Sequence, residues 1–259
     1  MSHNTPWKMI VRGALVTAGC VALLAGAVRG SATAVPVHYS NAVALVAAIN
    51  PASNDYNTAS QVVWPAPNVT PSNKTVCGQF ITRLIQKSYG RTDSDFYRCI
   101  GSTSPYAKTY HDWFKSAQVC SSPLAHQHIR TIQQLRVGDW LPGDLLAIKN
   151  LTVETNNTGH MAMLAGLPEL MWEAAGVRAY AVPVIDSTQT PHNADDSRVV
   201  HPDAGAEFDT GVGEGTMVVF ANGANDQVIG HCWSTDNWST EYDQSQKSLV
   251  VARLAIPNP

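Results

Sequence analysis

The chain has 259 residues, of which 44% are hydrophobic and 14% are charged, with a formal net charge of −3 at pH 7. This composition is ordinary for a folded soluble protein and excludes disorder or low complexity as a description of the whole chain. The Lys and Arg residues form no basic cluster, which argues against nucleic acid as a partner.

The first 34 residues are predicted to be a cleavable signal peptide. Lys8 and Arg12 precede an apolar stretch over residues 13–28, and Ala32-Thr-Ala34 follows as a small-residue cleavage site. A retained membrane anchor is an alternative that the short, glycine-rich apolar run disfavours. A lipid anchor at Cys20 is another, disfavoured because Thr17 replaces the usual large aliphatic residue and little apolar sequence precedes Cys20. We expect export to a periplasmic or extracellular location with no stable membrane insertion, which removes three positive charges and leaves a net charge of −6.

The mature chain is predicted to begin with a helix and a surface-wrapping segment. Ser40–Ile49 has a capping serine at its start and a proline beyond its end. Residues 50–71 are rich in Asn, Ser, Thr and Pro, as expected for an extended segment. Its aromatic residues Tyr56 and Trp64 either line a groove that leads to the next helix or simply pin the loop.

A second helix is predicted over residues 73–90. Its apolar residues recur at helical spacing, Ser72 or Asn73 can cap its start, and Gly90 can end it. Cys77 then lies in the first turn, where unpaired N–H groups and the positive end of the helix dipole stabilise a thiolate. This position makes Cys77 a candidate nucleophile, with inert packing of a small residue as the alternative.

Four cysteines follow the signal segment, and export permits disulfides among them. A nucleophilic Cys77 must stay free. Cys99 and Cys120 bracket a short, loop-rich insertion, so we expect these two to pair and Cys232 to be free and buried, with two disulfides among the four cysteines as the alternative. No zinc-ligand spacing is present, and the sequence predicts no metal and no organic cofactor.

Residues 91–127 are predicted to be an insertion that holds the Cys99–Cys120 pair. One helix is expected from Ser104 to Val119. The aromatic residues of this segment serve either as a substrate wall or lid, or as a small core of its own: Tyr106, Tyr110, Trp113 and Phe114.

Strands dominate the rest of the chain, and the first two form a predicted antiparallel hairpin. The expected strands are Leu145–Ile148, His160–Gly166, Arg178–Thr188, Thr216–Phe220, Gln227–Trp233 and Ser248–Ile256. Helices followed by a meander of antiparallel strands indicate an α+β fold, here a single domain over residues 35–259 without a linker or repeat.

Two polar residues on successive predicted strands complete a candidate site with Cys77. His160 starts one strand, and Asp186 lies near the end of the next. Opposite residues on antiparallel neighbours are about 5 Å apart, so a matching register brings the two side chains into hydrogen-bond reach. His160 would then act as base and acid for the thiol, and Asp186 would orient its ring. His192, just past the end of the Asp186 strand, is an alternative third group or substrate contact, but a loop histidine without a role is the preferred interpretation.

A group of acidic residues follows and invites comparison with a calcium loop. It lacks the regular alternation of an EF-hand, so a solvated acidic surface is the preferred interpretation. The residues concerned are Asp195, Asp196, Asp203, Glu207 and Asp209.

Three segments resemble the core of NlpC-type cell-wall peptidases. They are Cys77-Gly-Gln-Phe-Ile-Thr82, Gly143-Asp-Leu-Leu-Ala-Ile148 and Gly159-His-Met-Ala-Met-Leu-Ala-Gly166. The resemblance covers about residues 73–188 and implies a papain-like α+β fold in which the nucleophile helix packs on an antiparallel sheet. It also implies a cysteine nucleophile, a histidine base and a polar third residue, which fall here on Cys77, His160 and Asp186. The chain departs from the family in lacking an Asp before Cys77 and in having Asp as the third residue.

These observations predict an exported cysteine peptidase or amidase, a hydrolase that cleaves an amide or peptide bond. The resemblance implies peptidoglycan stem peptides as the substrate. Two other functions stay open: an acyltransferase or thioesterase on the same scaffold, and a non-catalytic module that binds the cell wall. The oligomeric state and the cleaved bond are not fixed by the sequence.

Overall fold

The computed structural model describes residues 35–116, 119–121, 128–152, 158–201, 207–236, 238 and 241–255. These residues belong to one compact unit, Val35–Pro259. The expected signal peptide, residues 1–34, lies outside the described residues, so its cleavage and the export of the chain stay predictions. None of the described helices is long and apolar enough to cross a membrane.

The described part of the chain contains four α-helices and many strands, mostly short. The helices are α1 (Val37–Ala48), α2 (Cys77–Tyr89), α3 (Asp93–Ile100) and α4 (Ala107–Ser116). The earlier strands in chain order are β1 (Asn54–Asp55), β2 (Gln61–Val63), β3 (Ser72–Lys74), β4 (Val119–Ser121), β5 (His128–Gln133), β6 (Leu145–Asn150) and β7 (Gly159–Leu164). The later strands are β8 (Glu169–Ala174), β9 (Val177–Thr188), β10 (Val199–His201), β11 (Glu207–Phe208), β12 (Gly211–Asn222), β13 (Val228–Cys232), β14 (Glu241–Asp243) and β15 (Lys247–Ala255).

A ten-stranded antiparallel sheet organises the fold. Its order is β14-β13-β12-β9-β7-β6-β15-β5-β4, with β8 paired to one end of β9. The predicted β6–β7 hairpin is confirmed, and the tail strands β12, β13 and β15 extend the same sheet. Two small sheets, β1-β3-β2 and β10-β11, lie outside it. The α+β class with a large antiparallel sheet is confirmed.

Helices α1, α2 and α4 share one hydrophobic core with one face of the sheet. The apolar stripe of α2, residues Phe80, Ile81, Leu84 and Ile85, is fully buried there. The aromatic residues of α4 are buried in the same core: Tyr110, Trp113 and Phe114. They therefore belong to the main core of the protein and not to a separate small core of the 91–127 insertion, while Tyr106 is exposed.

On the opposite face of the sheet, buried side chains from several strands pack against one another. Apolar residues of β6, β12 and β15 form a second core there, including Leu146, Met217 and Val251. Trp140 is buried in this core, and β13 lies against β15. Because β13 and β15 are not neighbours in the sheet, their contact shows that the sheet is curved.

Several boundaries differ from the expectation. Helix α1 begins at Val37, before the predicted cap Ser40, and the N-cap of α2 is Val76 because Ser72 and Asn73 belong to β3. Gly90 ends α2 in the left-handed conformation with φ 62°, as predicted. Helix α3 and strand β8 were not predicted.

The cysteine prediction is confirmed where the structure tests it. Cys77 and Cys232 are free and buried, and Cys99 is disulfide-bonded. Cys120 lies on β4, and α3 with Cys99 packs near this strand. The side chain of Cys120 is outside the described residues, so the Cys99–Cys120 pairing stays a prediction.

The family-like Gly-Asp-Leu-Leu segment has a structural role. Asp144 is buried, accepts a hydrogen bond from the Leu141 amide at 2.9 Å and pairs with the Arg253 guanidinium on β15 at 2.7 and 2.8 Å. This pair fixes the start of β6 to its neighbour. Asp144 is therefore bound to the scaffold and is not directed at Cys77.

Candidate active site

Cys77 is held in place by the chain that precedes α2. Ser187 on β9 donates a hydrogen bond to the carbonyl oxygen of Thr75 at 2.7 Å, and the buried Asn73 amide bonds to Asn54 at 3.1 Å. These contacts fix the first residue of α2 over the end of the central strands. As predicted, Cys77 lies in the first helical turn, where the N–H groups of the helix start have no helical partner.

His160 and Asp186 meet across neighbouring strands. The register pairs Ala162 with Asp186, so His160 lies diagonally from Asp186 on the same face of the sheet. The imidazole reaches across this diagonal: His160 Nε2 is 2.6 Å from Asp186 Oδ2. The two predicted strands therefore bring His160 and Asp186 together, although these residues are not directly opposite each other.

A local gap between β7 and β9 makes room for the thiol. The ladder between these strands begins only at Ala162. Even-numbered amides of β7, such as that of Leu164, bond toward β6, so the Met161 N–H points to the β9 side. Cys77 receives that N–H as well as a hydrogen bond with His160. Because His160 Nε2 is already engaged by Asp186, Nδ1 is the ring nitrogen that serves the thiol.

The charges of Cys77 and His160 are mutually stabilised. Burial alone would raise the pKa of the Cys77 thiol, but the positive imidazolium of His160 and the hydrogen bonds lower it below its ordinary value. Burial likewise disfavours the charged imidazole, yet the Cys77 thiolate and Asp186 raise the pKa of His160 to about 10. Each charge therefore stabilises the other, which favours a thiolate–imidazolium pair over the neutral thiol and imidazole.

Asp186 is completely buried and accepts hydrogen bonds from three side chains. His160 and His192 both contact Oδ2, at 2.6 and 2.8 Å, and Arg198 Nη1 contacts Oδ1 at 2.7 Å. Burial opposes ionisation, but Arg198 and the histidines hold the pKa of this carboxyl well below its usual range. Asp186 is thus a carboxylate whose hydrogen-bonding capacity is largely used.

Arg198 connects Asp186 with a second buried carboxylate, Asp196. The guanidinium donates to Asp196 from Nε at 2.8 Å and from Nη2 at 2.7 Å. Asp196 also accepts the backbone N–H of His192 at 2.8 Å. The expectation that Asp196 belongs to a solvated acidic surface is wrong, because its carboxylate is needed to neutralise a buried arginine. Asp195 beside it is exposed, as predicted.

Two aromatic residues border the site. The hydroxyl of Tyr56 hydrogen-bonds Cys77, and burial together with the thiolate raises the pKa of this phenol, so that it stays a donor. Trp233 lies edge-on to His160, with ring centroids 4.8 Å apart, and packs at 4.0 Å on His192. Trp64 packs against the helix-side core. The sequence offered Tyr56 only as a possible groove residue and gave no signal for Trp233 or Arg198.

His160, Asp186 and His192 also place three potential metal-ligand atoms within 4.8 Å of one another. Both imidazole contacts to Asp186 have hydrogen-bond lengths, and the positive charge of Arg198 already lies on the same carboxylate. A cation there would be repelled by Arg198 and would compete with Cys77 for His160. The donor set fits a proton-sharing network better than a metal centre.

Comparison with known proteins leaves the function to be argued from this geometry. The chain is similar to "Uncharacterized protein R653" of Acanthamoeba polyphaga mimivirus, with 29% identity over 223 residues that cover 78% of this chain and 88% of the relative. No protein-family model matches the chain, and no solved structure matches it.

Proposed function

We propose that the protein is a papain-like cysteine hydrolase that cleaves an amide or peptide bond. The observation that supports this proposal is the continuous chain of contacts from Cys77 through His160 to Asp186. Its order, with the thiol on one ring nitrogen and a carboxylate on the other, is the arrangement that acyl transfer by a cysteine requires.

Each residue has a defined task in the proposed reaction. The Cys77 thiolate attacks the carbonyl carbon of the substrate, and the resulting oxyanion is stabilised by N–H groups at the start of α2. His160 gives its Nδ1 proton to the leaving amine, which departs and leaves a thioester on Cys77. His160 then takes a proton from water, the hydroxide attacks the thioester, and the acid product and the thiol are released. Asp186 keeps the ring oriented and balances its charge throughout.

For the substrate we propose peptide stems of peptidoglycan, reached by export of the chain through its amino-terminal segment. The NlpC-like segments around Cys77, Asp144 and His160 support this choice. An acyltransferase or thioesterase would use the same three residues with another acceptor or ester.

The test is mass spectrometry of muropeptides after incubation with the purified protein. We expect the native chain to release a peptide fragment, with the mass of one water molecule added across the cleaved bond. Cys77→Ala should release no fragment while keeping the circular dichroism spectrum and melting temperature of the native chain. Cys232→Ala is the matched control, because this second free thiol lies on β13, outside the Cys77–His160–Asp186 chain of contacts, and it should retain cleavage. Full cleavage by Cys77→Ala would refute the proposal.

A further inference from the structure

His192 makes two side-chain hydrogen bonds that both end on oxygen atoms without a proton. Its Nδ1 lies 2.8 Å from the carbonyl oxygen of Trp233, and its Nε2 lies 2.8 Å from Asp186 Oδ2. A neutral imidazole has a single N–H and can donate only one of these bonds. Arg198 donates to the other oxygen of Asp186, which favours the carboxylate form of this group over a protonated form that could supply the missing proton. The geometry of these two bonds therefore favours an imidazolium at the fully buried His192.

The charge balance of the buried network leads to the same conclusion. Asp186 and Asp196 are two carboxylates, and Arg198 is one guanidinium; the side chains of all three are at most 1% exposed. With a neutral His192 the three charges leave one uncompensated negative charge in the interior, which is strongly unfavourable. With a protonated His192 the sum is zero. The pair of Cys77 and His160 adds no net charge in either of its forms.

Other titratable groups around His192 and His160 come from every element packed against them. They are Asp186 on β9, His160 on β7, Cys77 on α2, Tyr56 after β1, Asp196 and Arg198 before β10, Glu214 on β12 and His231 on β13. Burial and the nearby charges of Lys247 and His160 lower the pKa of His231 to about 3, so this residue is neutral and adds no charge near pH 7.

We propose that His192 is a positioning residue that extends the Cys77–His160–Asp186 chain of contacts. Its positive charge limits how strongly Asp186 holds the proton of His160. The proposal rests on the function given above, in which His160 must release that proton to the leaving amine. Two imidazolium rings share one carboxylate oxygen, with centroids 6.4 Å apart. At an effective dielectric constant of about 20, their repulsion corresponds to about one to two pH units in the titration of His160.

The first measurement uses the unmodified full chain and needs no substrate. Histidine side-chain ¹H–¹⁵N NMR at pH 7 should show protons on both ring nitrogens of His192. A neutral tautomer of His192 would overturn the proposal. This measurement stands even where a substituted chain does not fold.

The second measurement follows the titration of His160 by NMR in a Cys77→Ala background, where removal of the thiolate brings this titration nearer to the ordinary range. His192→Gln should raise the midpoint of His160 by about one to two pH units, because the opposing positive charge is lost. His192→Lys, which keeps a positive charge, should restore the midpoint. Gln189→Ala, an exposed change on the same loop, should leave it unaltered.

The direction of the shift separates a positioning role from a merely structural one. Loosening of the site would move His160 back toward its ordinary pKa, which is a downward shift, and that result or an unchanged midpoint would refute the proposal. In the chain with Cys77 intact, His192→Gln should lower kcat and leave KM unchanged. If muropeptides are not cleaved at all, the proposed function fails, but the NMR titration still decides the role of His192.

Discussion

Replacement of Asp186 by Asn should destabilise the protein as a whole. The carboxylate receives three donors, two on Oδ2 and one on Oδ1. The Asn amide offers one oxygen, while its NH₂ group can only donate, so either Arg198 or the two histidines must face another donor. Removal of one partner from a buried charged network costs about 3–5 kcal/mol. For a unit of this size, that corresponds to a fall in Tm of about 6–20 °C.

The pH dependence of this loss gives a stricter test. Because the pKa of Asp186 is depressed in the folded chain, its stabilising contribution is fully present above the pKa of about 3.9 of an unfolded Asp and is lost as the pH falls through the folded value. The stability gap between native chain and Asp186→Asn should therefore be largest near pH 7 and should narrow below about pH 4.

The assay is urea denaturation of both chains at pH 7 and at acidic pH, with Asp195→Asn as the matched control. Asp195 is exposed and lies in the loop after His192, so its substitution should change the free energy of unfolding by less than about 0.5 kcal/mol. If Asp186→Asn is as stable as this control at pH 7, the description of Asp186 as the centre of a buried charge network is wrong.

Three further predictions concern the thiol and the strand that carries His160. Iodoacetamide at pH 7 should modify Cys77 much faster than Cys232, because burial raises the pKa of Cys232 to about 12 whereas the histidine partner lowers the pKa of Cys77. Peptide mass spectrometry measures the two rates of modification, and equal rates would contradict this prediction. Tyr56→Phe removes a donor to the thiolate and should shift the alkylation profile of Cys77 upward by about one pH unit or more, while a superimposable profile would count against the contact. Gly159→Ala should lower the free energy of unfolding by about 2 kcal/mol or more, measured by thermal unfolding, because φ is 129° and a Cβ would collide with a β6 carbonyl. Gly176→Ala is the control, because φ is 77° but the space around it is open, and it should cost only about 1 kcal/mol. Equal losses of stability in the two variants would refute the steric argument.

The central part of the candidate site was predictable from the sequence because its signals are local. Cys77 stands at a helix start, His160 opens a predicted strand that follows a turn cluster, and Asp186 lies near the end of the next predicted strand, so each position follows from a pattern a few residues long. The antiparallel sheet made their meeting plausible. Only the diagonal register had to come from the structure.

The residues that surround this centre left no such pattern. Arg198 and Asp196 lie in an irregular acidic stretch, where a buried carboxylate looks the same as a solvated one until its partner is known. Trp233, whose carbonyl oxygen contacts His192, is 41 residues away from it in the sequence, so no local pattern connects the two residues. Strand β8 escaped prediction because it is largely exposed, with Leu170 and Met171 facing solvent, so it lacks the buried apolar run that marks central strands such as β6 and β7.

The gap where β7 departs from β9 also links the reactivity of the thiol to the time course of folding. The Met161 N–H faces Cys77 only after the central ladder has formed and α2 has docked on it, and such contacts between distant parts of a chain form slowly. A chain that is still incompletely folded carries an ordinary, weakly reactive cysteine. During refolding, rapid alkylation of Cys77 at neutral pH should therefore appear together with the slowest protected amides of β7, and the thiol would act as a built-in reporter that the sheet is complete.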